Sequence, residues 1–414
     1  MVDDSLRKGI GDIKPYIPGK SARDAKLEFN VESVVKLASN ENPFGPSPKA
    51  VEAMKETLKA LAVYPDQTSI ELREALSTRL GVDKDCLIVG NGSDEIMQLA
   101  AATFLSAGEE CLISENTFSV YEFATKLFDG EAVFVPLKDY KYDLEGFARA
   151  VTDKTKLVWL CNPNNPTGTA FSQSELDQFL AKLPKKAITI IDEAYMEFAE
   201  TGGFPESLEY VKKGKNVIVL RTFSKFYGLA GLRVGYGAAK PDIVKYMNLA
   251  KLPFNVNRLA VKAGIAALDD KAFAEKTKRT NSEGKKHLYA ELKKLKQKDR
   301  IETLNLILDQ IKRAKKYGYI TDAFEGFESF EDSYGKYVKA NKQEIIEVDD
   351  IGLLSSMMTL NETSKAYKGN AIKSMNTTIN TSKDIRPEEE AEEEPEESES
   401  SNFRQKFFRK RGEQ

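Results

Sequence analysis

Lys225 is the side chain whose setting most invites chemistry. It stands in Arg221-Thr222-Phe223-Ser224-Lys225-Phe226-Tyr227-Gly228-Leu229-Ala230-Gly231-Leu232-Arg233, directly after the β-rich run Asn216-Val217-Ile218-Val219-Leu220. A lysine at the end of a buried strand, flanked by two hydroxyls and followed by an arginine, suits an amine that forms a Schiff base beside a phosphate. Taken alone, Ser224-Lys225 is as readily a solvated loop, and the weight comes from what lies upstream.

Ala187-Ile188-Thr189-Ile190-Ile191 reads as a fully buried parallel strand running into Asp192-Glu193-Ala194-Tyr195. An acid ending such a strand lies where α/β sheets collect ligands. Pyridoxal phosphate needs a carboxylate there, because an anion on the pyridine nitrogen keeps it protonated and lets the ring act as an electron sink. Tyr195 could reach the ring's phenolic oxygen. Earlier still, Leu157-Val158-Trp159-Leu160-Cys161 opens into Asn162-Pro163-Asn164-Asn165-Pro166-Thr167-Gly168, a rigid turn that holds the Asn165 amide in one direction. An ordinary Asn/Pro turn explains that segment equally well.

Leu87-Ile88-Val89-Gly90-Asn91-Gly92-Ser93-Asp94-Glu95 precedes a helical pattern with Ile96, Met97, Ala100, Phe104 and Leu105 on one face. Glycines between a strand and a Ser-capped helix expose amide donors at a positive helix terminus, a phosphate cradle. The ending differs from a Walker loop and from the dinucleotide fingerprint. After the short strand Cys111-Leu112-Ile113, Asn116-Thr117-Phe118-Ser119-Val120-Tyr121 offers an aromatic ring to stack on a planar cofactor, although Phe118 also suits plain core packing.

In this order and spacing the segments resemble the fold-type I pyridoxal-phosphate aminotransferases, and within them the histidinol-phosphate aminotransferases most closely. Lys14-Pro15-Tyr16, the stretch from Lys36-Leu37-Ala38-Ser39-Asn40-Glu41-Asn42 through Pro43-Phe44-Gly45-Pro46-Ser47-Pro48, and Tyr64-Pro65-Asp66 sharpen the match, which covers roughly residues 10 to 296. The resemblance implies an α/β fold whose large domain holds a mostly parallel sheet of the seven-stranded type flanked by helices. By the same resemblance Lys225 is the Schiff-base lysine, Asp192 the partner of the pyridine nitrogen, and Tyr195 with Asn165 the ligands of the ring oxygen. Phe118 matches the stacking aromatic. The Ser93 and Asp94 amides, Thr222, Ser224 and Arg233 match the phosphate cup, Tyr64 a tyrosine donated across a homodimer interface, and Tyr16 one lining the substrate pocket.

The resemblance then stops. The family's small domain ends in arginines that hold the substrate's phosphate or carboxylate, whereas this chain has Glu291-Leu292-Lys293-Lys294-Leu295-Lys296 closing a long helix and no such segment afterwards. The small domain therefore reads as incomplete or replaced, with Arg258, Arg279, Arg300 and Arg313 as clamp candidates by position only. The expected division is an N-terminal arm over 1–40, a cofactor-binding large domain over 41–255, and a helical start of the small domain over 256–296. Residues 297–386 form a partly helical, unassigned segment, polar and poorly ordered over Thr359 to Lys383. Residues 387–414 form a disordered tail, nine glutamates from Pro387 to Ser400 followed by the basic-aromatic Phe403 to Arg411. That end reads as solvated, with RNA, an acidic partner or a membrane surface as alternatives.

Composition agrees with this division. With 414 residues and 41% hydrophobic content the chain is long enough for two domains. The net charge of −3 hides an asymmetry: without the tail's ten glutamates and five basic residues, 56 basic side chains face 54 acidic ones. A near-neutral body argues against nucleic-acid binding. An apolar leader and a membrane-spanning stretch are both missing, and Cys86, Cys111 and Cys161 read as buried thiols of a reducing, cytoplasmic compartment. The single histidine, His287, lies in a Lys-rich helical pattern and reads as a surface residue, which excludes a histidine triad and a His-rich metal site. No metal is expected, and the cofactor supplies the hard chemistry.

By resemblance, the expected reaction moves an amino group between L-histidinol phosphate and 2-oxoglutarate, with Lys225 also shuttling the proton. Another amino-acid aminotransferase or a phospho-amino-acid decarboxylase on the same fold stays open. So does a truncated or fused cofactor-binding protein whose C-terminal third is an interaction module.

Overall fold

In the computed structural model, residues 8–11, 13, 21–31, 34, 36, 39–200 and 202–294 are described. Tyr16, Arg300, Arg313 and everything read for 297–414 lie outside them. The strands are β1 (Leu87–Gly90), β2 (Glu110–Ser114), β3 (Glu131–Val135), β4 (Leu137–Lys138), β5 (Lys141–Tyr142), β6 (Thr155–Cys161), β7 (Ile188–Asp192), β8 (Val217–Thr222) and β9 (Gly235–Ala239). Seven of them form one sheet in the order β1-β9-β8-β7-β6-β2-β3, and β4 and β5 make a small antiparallel hairpin beside it.

The central strands carry apolar runs without alternation because helices cover both faces, so neither face meets water. All of β7 and β8 is buried, and Trp159 and Leu160 of β6 have no exposed surface. β2, β3, β6, β7 and β8 are mutually parallel. β9 alone runs antiparallel, pairing with both β8 and β1, so β1 points the same way as β8. The carboxyl ends of β1, β2, β6, β7 and β8 therefore share one edge of the sheet, where ligands of open α/β sheets collect.

Two features set that edge. The helix Ser93–Phe104 follows β1 after two residues and packs Ile96, Met97 and Ala100 into the core, while Leu105 already leaves the helix in extended conformation. Glycine at 235, where β9 passes under this helix, is required by space: a Cβ there would stand 2.6 Å from the Ser93 nitrogen. The helix Arg258–Leu268 buries Ala260, Ala263, Gly264 and Ala267, small residues that let it lie close against Pro48–Thr57 and Ile70–Leu80. The helix Lys271–Lys294 follows and carries His287, half exposed, with Nδ1 3.8 Å from Glu291.

Candidate active site

Asp192 ends β7 and is almost fully buried. Each carboxylate oxygen has a donor: the Ala194 amide reaches Oδ1 at 3.1 Å and the Tyr121 hydroxyl reaches Oδ2 at 2.6 Å. Burial pushes the acid up to about 6 from its ordinary 3.8, against the pull of those two hydrogen bonds, with Asp94 and Glu193 adding like-charge repulsion. Tyr195 lies three positions past the end of β7. Its hydroxyl accepts from Asn40 Nδ2 at 2.9 Å and from Asn165 Nδ2 at 3.4 Å, so the two side chains expected on one ring oxygen do meet.

Asn165 is held by a turn whose backbone is itself tied down. Asn164, buried, accepts from Thr117 Oγ1 at 2.9 Å and donates to the Asn116 carbonyl and to Thr167 Oγ1, each at 3.0 Å. These contacts bind the end of β6 to the turn after β2, where Phe118 is half-buried and meets Tyr121 edge-on with ring centroids 5.7 Å apart.

Lys225 follows β8 by three residues. Its amine donates to the Ser39 carbonyl at 2.8 Å and stands 6.0 Å from the centre of the Tyr195 ring. Burial lowers its affinity for a proton; Asp94, Glu41 and Asp192 oppose that shift, and Arg233 adds to it. A partly desolvated amine among both signs of charge is easier to deprotonate than a surface lysine, as a nucleophile requires. Ser39 and Asn40 both adopt left-handed backbone conformations, and Asn42 Nδ2 donates to the Phe226 carbonyl at 2.9 Å, fastening the 39–47 loop over the lysine.

The anion cradle departs from expectation in one respect. Ser93 is not the helix cap. Gly92 is, with φ of 83° and no side-chain hydrogen bond, and Ser93 is the first helical residue. Glycine suits position 92 because that positive φ strains any other side chain, and Arg233 Nη2 lies 2.3 Å from where a Cβ would stand. The first amides of the helix consequently keep no side-chain acceptor, the arrangement that a phosphate satisfies. Arg233 Nη2 pairs with Asp94 at 2.9 Å, its Nη1 lies 3.4 Å from Ser224 Oγ, and Thr222 Oγ1 accepts the Ser224 amide at 3.1 Å. Thr222, Ser224, Arg233 and the Ser93 end thus come together at one point.

Tyr64 goes elsewhere. It is 76% exposed and stacks on Phe254 with centroids 4.7 Å apart, and its carbonyl accepts from Arg258 at 2.7 Å. Of the clamp candidates, Arg258 therefore belongs to this outer face, and Arg279 is exposed on the helix Lys271–Lys294. Beside Asn40, Asn165 and Tyr195 opens a cavity of about 900 Å³, bounded outward by the β4–β5 hairpin and by Asn281, Lys285 and Tyr289. Sequence reasoning did not single out Tyr121 or Asn40 as functional. The only signal for Tyr121 is its three-residue spacing from Phe118, and Asn40 lies within a motif quoted for other reasons.

A buried carboxylate, a desolvated lysine, a convergent Tyr/Asn pair and an uncapped helix end with an arginine are the parts that pyridoxal phosphate needs, and their placement fits that group. Fold and site define a pyridoxal-phosphate-dependent enzyme of the α/β class. The chain matches the family aminotransferase class I and II over residues 32–311, and it belongs to that family. It is 48% identical over 290 residues to the histidinol-phosphate aminotransferase of Moorella thermoacetica, covering 70% of this chain and 75% of that one. Histidinol-phosphate aminotransferase 2 of Carboxydothermus hydrogenoformans is 44% identical over 288 residues, 69% of this chain and 80% of the relative. Among solved structures, histidinol-phosphate aminotransferase from Sinorhizobium meliloti in complex with pyridoxal-5'-phosphate superposes with a TM-score of 0.64 at 27% identity, covering 69% of this chain and 78% of that one. L-threonine-O-3-phosphate decarboxylase from Porphyromonas gingivalis gives 0.55 at 26% identity, covering 62% and 79%. The protein is a pyridoxal-phosphate-dependent aminotransferase. Among the described residues no helix is long and apolar enough to cross a membrane.

Proposed function

We propose that this chain transfers the amino group of L-histidinol phosphate to 2-oxoglutarate, working as a homodimer in the cytoplasm. The observation that carries the substrate is the 48% identity to a relative of that name. When bound, pyridoxal phosphate supplies the aldehyde carbon and the electron-accepting ring. Asp192 holds the proton on the pyridine nitrogen, and Tyr195 with Asn165 holds the ring oxygen. The Ser93 and Asp94 amides, Thr222, Ser224 and Arg233 hold the phosphate, while Phe118 covers the ring plane. Lys225 Nζ, once displaced by the incoming amine, would take the proton from the donor's α-carbon and deliver it to the cofactor's C4′ carbon.

The dimer is supported by the face around Tyr64. Val63, Tyr64, Leu249 and Leu252 are each at least 65% exposed, and the two segments touch through the Tyr64–Phe254 stack and a 3.2 Å hydrogen bond from Lys251 to the Gln67 carbonyl. An apolar patch of this kind marks an interface. In a second copy it would deliver Tyr64 to the partner's site.

The substrate is tested by assaying the full chain with L-histidinol phosphate and 2-oxoglutarate, with O-phospho-L-threonine decarboxylation run beside it. Turnover of the second substrate alone would replace the proposal. Mixing inactive Lys225→Ala with inactive Tyr64→Ala tests the shared site. Hybrid dimers then hold one intact site, and no recovery of activity would leave Tyr64 within its own chain.

A further inference from the structure

Tyr121 makes a contact that the reading above leaves unused. Its hydroxyl donates to Asp192 Oδ2 at 2.6 Å across 71 positions of sequence, from a side chain with no exposed surface. The ring is fixed on both sides: it lies flat on Trp159, centroids 5.2 Å apart and planes 9° from parallel, and Phe118 abuts it edge-on. One helix turn below, Thr125 Oγ1 bonds the Tyr121 carbonyl at 2.8 Å and anchors the start of the helix. No rotamer change can carry the hydroxyl away from Asp192 without displacing Trp159 or Phe118.

We propose that Tyr121 is a positioning residue for the cofactor, keeping Asp192 ionised and fixed so that this carboxylate can hold the pyridine proton. The inference rests on the reading of Asp192 as the pyridine partner. An aspartate this deeply buried drifts toward its neutral form, and a neutral acid cannot pair with a pyridinium. The Ala194 amide alone steadies one oxygen; the phenol steadies the other. Burial and the neighbouring carboxylate both raise the Tyr121 phenol well above its ordinary range, so it keeps its proton and acts as donor. Other titratable groups facing the pair do not substitute for it. Cys161 and Tyr142 are pushed up by burial and stay neutral, and the carboxylates of Asp94 and Glu193 are paired with Arg233 and Arg221. Phe118, three residues earlier, packs edge-on against Tyr121, so the aromatic expected over the ring touches the group behind its nitrogen partner.

The test measures pyridoxal-phosphate dissociation and the pH response of the bound cofactor's absorbance in the full chain, for wild type, Tyr121→Phe, Asp192→Asn and the double variant. Losing a hydroxyl donor to a charged acceptor should weaken cofactor binding between about tenfold and a hundredfold and move the pH at which the band changes. In the Asp192→Asn background the same change should add less than about twofold. Tyr121→His, which keeps a ring and a donor, should recover part of the loss, and it still reports if the phenylalanine variant fails to fold. Equal losses in both backgrounds would overturn the proposal, because Tyr121 would then act by packing. So would an unchanged constant and pH response in Tyr121→Phe. If Asp192→Asn itself changes neither quantity, the assignment of Asp192 fails first, and the two failures are distinguishable.

Discussion

Around Asp192 the side chains are buried and tied by hydrogen bonds of 2.6 to 3.4 Å, whereas around Tyr64 large apolar side chains stand in solvent. The strand-end floor already satisfies its needs within one chain, with donors for each Asp192 oxygen and an arginine at the helix end. The outer face does not. Covering a large apolar side chain is worth about 1.5–3 kcal/mol, and the four most exposed there could together drive association. Substitutions on the floor should therefore change chemistry and folding, and substitutions on the outer face should change assembly.

The largest effect is expected at Lys225. Lys225→Ala should remove the visible band of the bound cofactor and all amino transfer, because it is this buried amine that stands by the Tyr195 ring and in the field of Asp192. A persisting band would strike Lys225 from the floor.

Asp192→Asn comes next, and its two consequences have opposite signs. Turnover should fall by orders of magnitude, since an amide cannot hold the pyridine nitrogen protonated. Stability of the cofactor-free chain should rise. The Asp192 carboxyl is at about 6 when folded against 3.8 when free. Between those values the folded chain binds more protons than the unfolded one, so stability falls as pH rises through that window and stays reduced above it. Removing the group should add up to about 3 kcal/mol at neutral pH and flatten that slope in thermal melts at a series of pH values. A less stable cofactor-free variant at pH 7 would mean that Tyr121 and Ala194 more than offset the burial.

Glu193 and Arg221 supply the third contrast. Arg221 bonds Glu193 Oε2 through Nε and Nη2, both at 2.8 Å, in the interior and on the neighbouring strand ends that carry Asp192 and Thr222. Removing one partner leaves a buried charge, and Arg221→Met should cost about 3–5 kcal/mol. The double variant with Glu193→Gln should regain much of that. Chemical denaturation measures both, and a cost below about 1 kcal/mol would show that the orphaned Glu193 carboxyl is reached by water or takes up a proton.

Which parts of this floor were legible in the sequence follows from the physics of each. β6, β7 and β8 read directly because strands buried on both faces must be apolar runs, and Asn165, Asp192 and Lys225 were visible because each stands where such a run ends. The cap was misread: Ser93 looks like a cap by type, but the cap is Gly92, whose φ of 83° and nearness to Arg233 are set by how the end of β1 meets the rest of the fold. Tyr121 and the Glu193–Arg221 pair were hidden for the same reason. Their partners lie 71 and 28 positions away, and nothing local distinguishes a tyrosine that clamps a carboxylate from one that fills the core.

The smallest effect on folding, and the clearest on assembly, is expected at Leu249. It is 78% exposed near the end of the helix Pro241–Ala250, so Leu249→Asp removes almost no buried surface from the chain itself. Such surface changes stay within about 0.5 kcal/mol. At the centre of a second copy's footprint the same carboxylate would have to lose its water, and one appears on each side of a two-fold interface. If the proposed dimer forms through this face, sedimentation should show the variant as monomers, with amino transfer falling in step because Tyr64 would no longer reach the neighbouring site. The monomer should still bind pyridoxal phosphate, since Asp192, Lys225 and Arg233 all come from one chain. A variant that remains dimeric and active would move the interface away from the Tyr64–Phe254 face, and one that stays dimeric but loses the cofactor would tie this face to the floor within a single chain.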